Sequence, residues 1–354
     1  MSNLHEIFVA HFFDSGRIFY RFRFMNYSVA NWRETFLFAT DIKMNSRLAV
    51  LDLGTNTFHL LVAELKGDRL FDVLFKAEEF VQLGEEGVDR IGDRAFQRGV
   101  EQVKKYKSVI DELKADQVIG FGTAAIRKAS NGDDFIAALK EICPMELRKI
   151  SGDEEAELIY YGVKQAVKMD EHPVLIMDIG GGSTEFIIAN NEKIFWKQSF
   201  PAGGSVLKKK FHHREPISAI EQVNMIHFLQ HELIPVIEQM KIFSIRHLIG
   251  ASGSFDTLAN MISENIHGVP LHPADTSTEV PMREFYILCD RLIHSIQEER
   301  LKMNGLIWFR AETIVAAAIL AGYVVETFNI HRITRSGYAL KEGALWRTIQ
   351  QTSI

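Results

Sequence analysis

Three short segments of this chain are rich in glycine and hydroxyl side chains, and each follows directly on an apolar run. They are Asp52-Leu53-Gly54-Thr55-Asn56-Thr57, Asp178-Ile179-Gly180-Gly181-Gly182-Ser183-Thr184 and Gly250-Ala251-Ser252-Gly253-Ser254. Glycine lets a backbone come close to a ligand, and successive N–H groups in such turns form concave anion sites. The hydroxyls of Thr55, Thr57, Ser183, Thr184 and Ser254 add donors. One such segment would read as an ordinary turn. Three of them, two related by an internal repeat, point to a phosphate cradle.

Carboxylates accompany the glycines. Asp52 and Asp178 open equivalent turns, where hard oxygens suit Mg²⁺, an ion that keeps several waters and takes few protein ligands. The competing reading has each Asp cap its own turn through backbone N–H groups. Glu154 and Glu155 follow Ser151-Gly152-Asp153 at a helix start. Ser151 and Glu154 have capping-box spacing, which accounts for Glu154. Glu155 has no such explanation: it is either a general base for water or a favourable charge at a helix N-terminus. Arg127 follows Gly122 to Ile126 and is either a bidentate phosphate grip or a surface charge. The basic run Lys208-Lys209-Lys210 with Arg214 reads as a solvated face, or as a guide beside a polyanion channel. His212 and His213 have no partners at metal spacing and read as surface residues. Neither a nucleophile-elbow serine nor a Walker lysine is present, which favours direct attack by water.

The elements that must position these residues follow from the apolar pattern. Leu48 to Leu51, Phe58 to Leu65 and Leu70 to Phe75 read as strands, with Gly67-Asp68 as a turn. A helix follows over 93–113, a buried strand over 117–121, a helix over 133–142 stopped by Pro144, a strand over 145–150 and a helix from Ser151 to about Val167. The opening unit then returns: Val174 to Met177, the Asp178 turn, Glu185 to Ala189, Asn190-Asn191 and Lys193 to Ser199. The two copies lie about 126 residues apart, a domain-scale repeat. Later helices are expected over 217–240, 282–299, 311–326 and 339–350, with short strands over 246–249 and 332–334. A duplicated α/β lobe with a cleft between its copies is the expected architecture. The boundaries fall at 44–170 and 171–336, and a C-terminal helix over about 337–352 is expected to pack back on the first lobe.

The bulk numbers agree. A length of 354 residues suggests about two domains at the usual ~100–200 residues each. The net charge of −6 excludes a general polyanion trap and argues against a nucleic-acid binder, so an anionic substrate needs a local site. Two distant cysteines, Cys143 and Cys289, suggest a reduced, cytoplasmic setting. No apolar run reaches the roughly 18 residues of a membrane span. Residues 1–43 show no clean period and no secretory pattern. Residues 1–43 read either as a start-site artefact, with translation beginning at Met44, or as a genuine extension foreign to the rest of the chain.

The segments DLGTNTFHLLVAEL, GTAAIRKASNG, ISGDEEAELIYYGV, DIGGGSTEF and GASGSF occur in this order. With them the chain resembles the exopolyphosphatase / guanosine pentaphosphate phosphatase family from about Leu48 to Trp346. The DIGGGSTE turn is shared more loosely with actin-like proteins; the SGxEEA helix start is the specific part. The resemblance implies two actin-like (ribonuclease H-like) domains and Mg²⁺ dependence. It also implies release of terminal phosphate from inorganic polyphosphate, or of the 5′ terminal phosphate from guanosine pentaphosphate. It implies Glu155 as catalytic base, Asp178 and Glu185 as metal-linked acids beside Asp52, and Arg127 as a phosphate contact. Gly54, Thr55, Asn56, Gly180, Gly181, Gly182, Ser183, Gly253 and Ser254 would form the cradle. A homodimer is the family-level expectation, with neither nucleic acid nor membrane as partner. Arg310-Ala311-Glu312 departs from the family's Arg-Ala-Asp, and the chain matches the short, two-domain form, which leaves long-chain processivity open. No base-binding motif is legible, so the two substrates are not separated. The rival readings are an actin-like-fold ATPase or kinase, and a non-catalytic nucleotide sensor.

Overall fold

The computed structural model describes residues 12–14, 17–19, 46–66 and 71–352. The chain divides into a unit over residues 1–40 and a compact unit over residues 41–354. Within the first, β1 (Phe12–Asp14) pairs antiparallel with β2 (Arg17–Phe19). The alternative start at Met44 lies outside the described residues.

Two sheets organise the second unit. In the first, β3 (Arg47–Leu53), β4 (Thr57–Leu65) and β5 (Phe71–Phe80) form an antiparallel meander. After helix α1 (Asp93–Glu112), β6 (Gln117–Gly122) returns parallel to β3. Helices α2 (Ala124–Lys128) and α3 (Gly132–Ile142) lead to β7 (Glu146–Lys149) and then α4 (Gly152–Ala166). The strand order is β5-β4-β3-β6-β7. Leu48 to Leu51 are fully buried, as a central strand covered on both faces requires.

The second sheet repeats the plan. β8 (Val174–Ile179), β9 (Thr184–Ala189) and β10 (Ile194–Phe200) form the meander. Helices α5 (Gly204–Phe211), α6 (Ala219–Glu232) and α7 (Ile234–Phe243) precede β11 (His247–Ala251), which lies parallel to β8. Helix α8 (Ser252–His267), β12 (Ser277–Val280), α9 (Met282–Ile293), α10 (Gln297–Arg300) and α11 (Ile314–Thr327) lead to β13 (Arg332–Ser336) and α12 (Leu340–Thr352). The order is β10-β9-β8-β11-β13-β12. A meander with its first strand then flanked by a parallel fourth is common to both sheets. This is the duplicated α/β plan that the internal repeat predicts.

One buried cluster joins Leu48 and Val50 of the first sheet to Ile176, Ile187 and Ile249 of the second, through Leu158, Ile159 and Leu345. Helices α12 and α4 meet at very close range. A Cβ on Gly343 would lie 1.8 Å from the Leu158 carbonyl oxygen, and one on Gly162 would lie 2.0 Å from that of Ala339.

Several elements differ from the sequence expectation. The helix expected over 217–240 is two, broken at Leu233; Pro235 sits in the first turn of α7, where a missing N–H costs nothing. The helix expected over 282–299 ends at Ile293, and the buried Arg300 then grips the carbonyls of Ser295 and Ala311. The Gly250–Ser254 segment is not a loop: β11 runs straight into α8, because Ser252 makes the turn alone at φ +63°. His212, expected at the surface, is buried beside Glu215. The basic run lies on α5 and is engaged: Lys208 pairs with Glu312, Lys209 donates to the Glu86 carbonyl, and Lys210 covers the Phe228 ring.

Candidate active site

The glycine turns adopt one shape. Gly54 N–H donates to the Thr57 carbonyl at 3.0 Å, and Gly180 N–H to the Ser183 carbonyl at 3.0 Å. They face each other closely. A Cβ on Gly182 would meet Thr55 Oγ1 at 2.6 Å, and one on Gly181 would meet the Asn56 amide at 2.8 Å. Only glycine permits this approach. The cleft between them has a volume of about 740 Å³ counted out to solvent. Asp52, Gly54, Thr55, Asn56, Glu155, Asp178, Gly180, Gly181, Gly182, Ser183, Glu185, Gly253 and Ser254 all line it.

Several donors expected to be free for substrate are already engaged. Asn56 exchanges two hydrogen bonds with Ser205 Oγ, at 2.7 and 2.9 Å. Ser254 Oγ donates to the Ile179 carbonyl at 2.9 Å. The first N–H groups of α5, on Gly204 and Ser205, go to the carbonyls of Gly180 and Gly181. By contrast, Gly253 and Ser254 sit in the first turn of α8, at the helix end that favours anions.

The carboxylates come from both halves. Asp178 and Glu185 are directly opposed on β8 and β9, so their side chains share a face. Ser252 Oγ donates to Asp178 at 2.5 Å, and Ser199 Oγ to Glu185 at 2.7 Å. Asp52, one residue before the end of β3, lies opposite His59. At the start of α4, Ser151 Oγ accepts from the Glu154 N–H, while the Glu154 carboxylate pairs with Arg148 rather than closing a capping box. Glu155, one position on, is buried and turned into the cleft. Arg127 holds it: Nη1 donates to Glu155 Oε2 and to the Ile150 carbonyl, both at 2.8 Å. Arg127 itself borders an adjoining cleft with Gly152, Ser183 and Ser199, not the main one.

This gathering of acids is electrostatically costly. Burial pushes the Asp52 carboxyl up to about 7, only partly offset by Lys341. Glu155 is raised well above the carboxylate range, first by burial and then by Glu185, against the pull of Arg127. Asp178 and Glu185 are raised as well, both mainly by burial. All four carboxyls are raised chiefly by burial, and repulsion between neighbouring acids adds to it, so the cleft favours a bound cation.

Asp52, Asp178 and Glu185 offer the hard oxygens that Mg²⁺ takes, and a bound cation would lower their raised pKa values. Their oxygens do not converge into a direct three-residue cage. Among the described residues the one group so gathered is the exposed Asp170-Glu171-His172. An ion that keeps most of its waters fits this donor set.

The sequence reading missed five lining or flanking residues. His59 is held neutral, chiefly by burial and then by nearby Lys341 and Arg310, and hydrogen-bonds Thr57 at 3.0 Å. The internal repeat places His59 where Glu185 stands in the second copy, a signal that was available. Ser252 lines the cleft from within the third glycine-rich segment and Arg310 from the Arg310-Ala311-Glu312 motif, neither of them assigned a role in the sequence, and Thr313 lines it with no local pattern to announce it. Arg310 packs against Gly253, where a Cβ would lie 1.8 Å from its guanidinium, and it pairs with Glu78 of β5. Lys341 is buried in α12; burial opposes its charge, but Glu342, Asp52 and Asp256 raise its pKa overall.

The model of the Ppx/GppA phosphatase family matches residues 61–352. The chain belongs to that family. A crystal structure of an exopolyphosphatase from Cytophaga hutchinsonii is similar at 37% identity and a TM-score of 0.84, over 86% of this chain and 98% of that one. An Aquifex aeolicus PPX-GPPA enzyme is similar at 26% identity and a TM-score of 0.71, over 85% and 99%. The guanosine-5′-triphosphate,3′-diphosphate pyrophosphatase of Aeromonas salmonicida is 27% identical over 84% of this chain, which spans 58% of that longer relative. Membership makes this chain a phosphohydrolase of the phosphoric-anhydride class. Among its described residues no helix is long and apolar enough to cross a membrane.

Proposed function

We propose that this family member releases the terminal phosphate of inorganic polyphosphate, or the 5′ terminal phosphate of guanosine pentaphosphate, by direct attack of water. The observation that carries the reading is the placement of Glu155. It is a buried carboxylate on the first turn of α4, oriented by Arg127, facing a cleft walled by two matched glycine turns. In this reading Glu155 accepts a proton as the water oxygen bonds to the terminal phosphorus. The bridging P–O bond breaks, and its electron pair leaves with the shortened phosphate chain. Backbone N–H groups at the start of α8 and the Arg310 guanidinium face the phosphoryl oxygens, where preorganised donors do most for such a transition state. Mg²⁺, held by Asp178, Glu185 and Asp52 through its waters, would supply charge neutralisation at those oxygens.

We take residues 44–170 and 171–336 as the two lobes that close on substrate, in a cytoplasmic protein. The test is phosphate release with Mg²⁺ from polyphosphate of defined lengths, guanosine pentaphosphate and ATP. Release from either of the first two, abolished by EDTA, supports the reading. Turnover of ATP alone would move the protein to a kinase-like activity.

A further inference from the structure

We infer that Trp308, with Phe80 and Phe309, forms a stacking platform for the base of a nucleoside polyphosphate, at the edge of the phosphate cleft marked by Arg310. The inference rests on the phosphohydrolase reading of that cleft and adds the substrate class that uses it.

Three aromatic rings from the two halves of the chain meet here. Phe80, the last residue of β5, stacks on Phe309 with ring centroids 5.2 Å apart and planes at 16°. Trp308 stands nearly perpendicular to both, at 5.6 Å and 75° to Phe80 and at 5.5 Å and 88° to Phe309. The two phenylalanines are half-buried and brace the indole, whereas Trp308 is 67% exposed. Single exposed apolar residues are common and need no explanation. Three things set this one apart: its ring is held by two others, it is the most exposed aromatic side chain among the described residues, and it lies two residues from Arg310 of the cleft.

The link to the site is covalent and direct. Trp308 and Phe309 lie in the same 3-10 turn as Arg310, which lines the cleft. Glu78, the partner of Arg310, is two residues from Phe80 on β5, so the ion pair and the ring share a strand face. Arg310 Nε is buried with no hydrogen-bond partner, an unspent donor between the rings and the cleft. A braced planar ring beside a cation is complementary to a molecule that joins a planar base to a chain of phosphates. Inorganic polyphosphate has nothing to place on the ring. The platform therefore favours nucleoside polyphosphates over the inorganic chain.

The experiment uses the full chain and two readouts. The first is intrinsic tryptophan fluorescence titrated with guanosine triphosphate. Stacking predicts saturable quenching in the wild type that is lost in Trp308→Phe, whose remaining tryptophans report the background. The second is the ratio of kcat/KM for guanosine pentaphosphate to that for polyphosphate. It should fall roughly tenfold in Trp308→Ala, through KM, and recover largely in Trp308→Phe. Unchanged emission in the wild type, equal quenching in Trp308→Phe, or an unchanged ratio in Trp308→Ala would overturn the platform. A wild type that hydrolyses neither substrate sinks the hydrolase reading instead, and the titration still decides the platform.

Discussion

Arg127 and Glu155 are joined by one 2.8 Å ion pair between α2 and α4, and the same Nη1 is anchored by the Ile150 carbonyl. The arginine therefore fixes the carboxylate more than it neutralises it, since burial and Glu185 still leave Glu155 raised. A buried acid with one fixed oxygen is oriented for one proton acceptance. Glu155→Gln keeps the shape and removes the basicity. Phosphate release should fall by roughly 10²–10⁴-fold in kcat with KM nearly unchanged. Turnover close to wild type would eliminate Glu155 as the base.

Glu78, on β5 of the first sheet, restrains Arg310 through an ion pair. Both side chains are largely shielded, at 29% and 14% exposure, so solvent does not cancel the pair. A phosphate approaching Arg310 must compete with that carboxylate. Glu78→Gln should lower KM for phosphate substrates about three- to tenfold, the scale of one charge-assisted contact. A KM that rises would show that Glu78 positions Arg310 rather than competing for it.

Much of the fold was legible because it is written twice. The Asp-x-Gly turns and their flanking apolar runs carried both meanders, and the carboxylates Glu155, Asp178 and Glu185 do meet in one cleft. Residues whose partners are remote were not legible. Arg310 and Lys341 reach the site from the last fifth of the chain, and no local spacing reveals which cation a fold will turn inward. Ser252 was visible within its segment but not as the partner of Asp178, because a single residue at φ +63° between strand and helix aims it there and no local spacing shows that. His59 was within reach, since the repeat aligns it with Glu185.

The contact between α12 and α4 gives a test of packing. Gly343 faces the Leu158 carbonyl, a backbone atom that cannot swing aside. Gly343→Ala should force the helices apart at a cost of about 3 kcal/mol, seen as a drop of several degrees in Tm. Because Leu340 lines the cleft and Lys341 faces Asp52, activity should fall with the displaced helix. Gly322→Ala, inside α11 with open space around it, is the matched control and should leave Tm unchanged or slightly raised, since alanine is the better helix former.

Acid stability has an identifiable contributor away from the site. Burial alone would raise the Glu221 carboxyl. Hydrogen bonds from Ser218 Oγ and N–H, at 2.6 and 2.8 Å, and from His213 N–H at 3.0 Å outweigh it and hold the pKa at about 2. A group depressed on folding stabilises the protein above its unfolded pKa, near 4.5, and loses that stabilisation as pH falls toward 2. The buried Asp52, raised to about 7, acts in the opposite sense, because the folded state binds its proton more tightly than the unfolded chain does. Comparing the wild type with Glu221→Gln isolates the first effect. At pH 7 the variant should be less stable by roughly 1 kcal/mol, the usual worth of a helix-start cap. The difference should shrink as pH is lowered from 5 to 3 in urea unfolding. A gap that stays constant over that range would mean that the Glu221 charge is not what holds the start of α6.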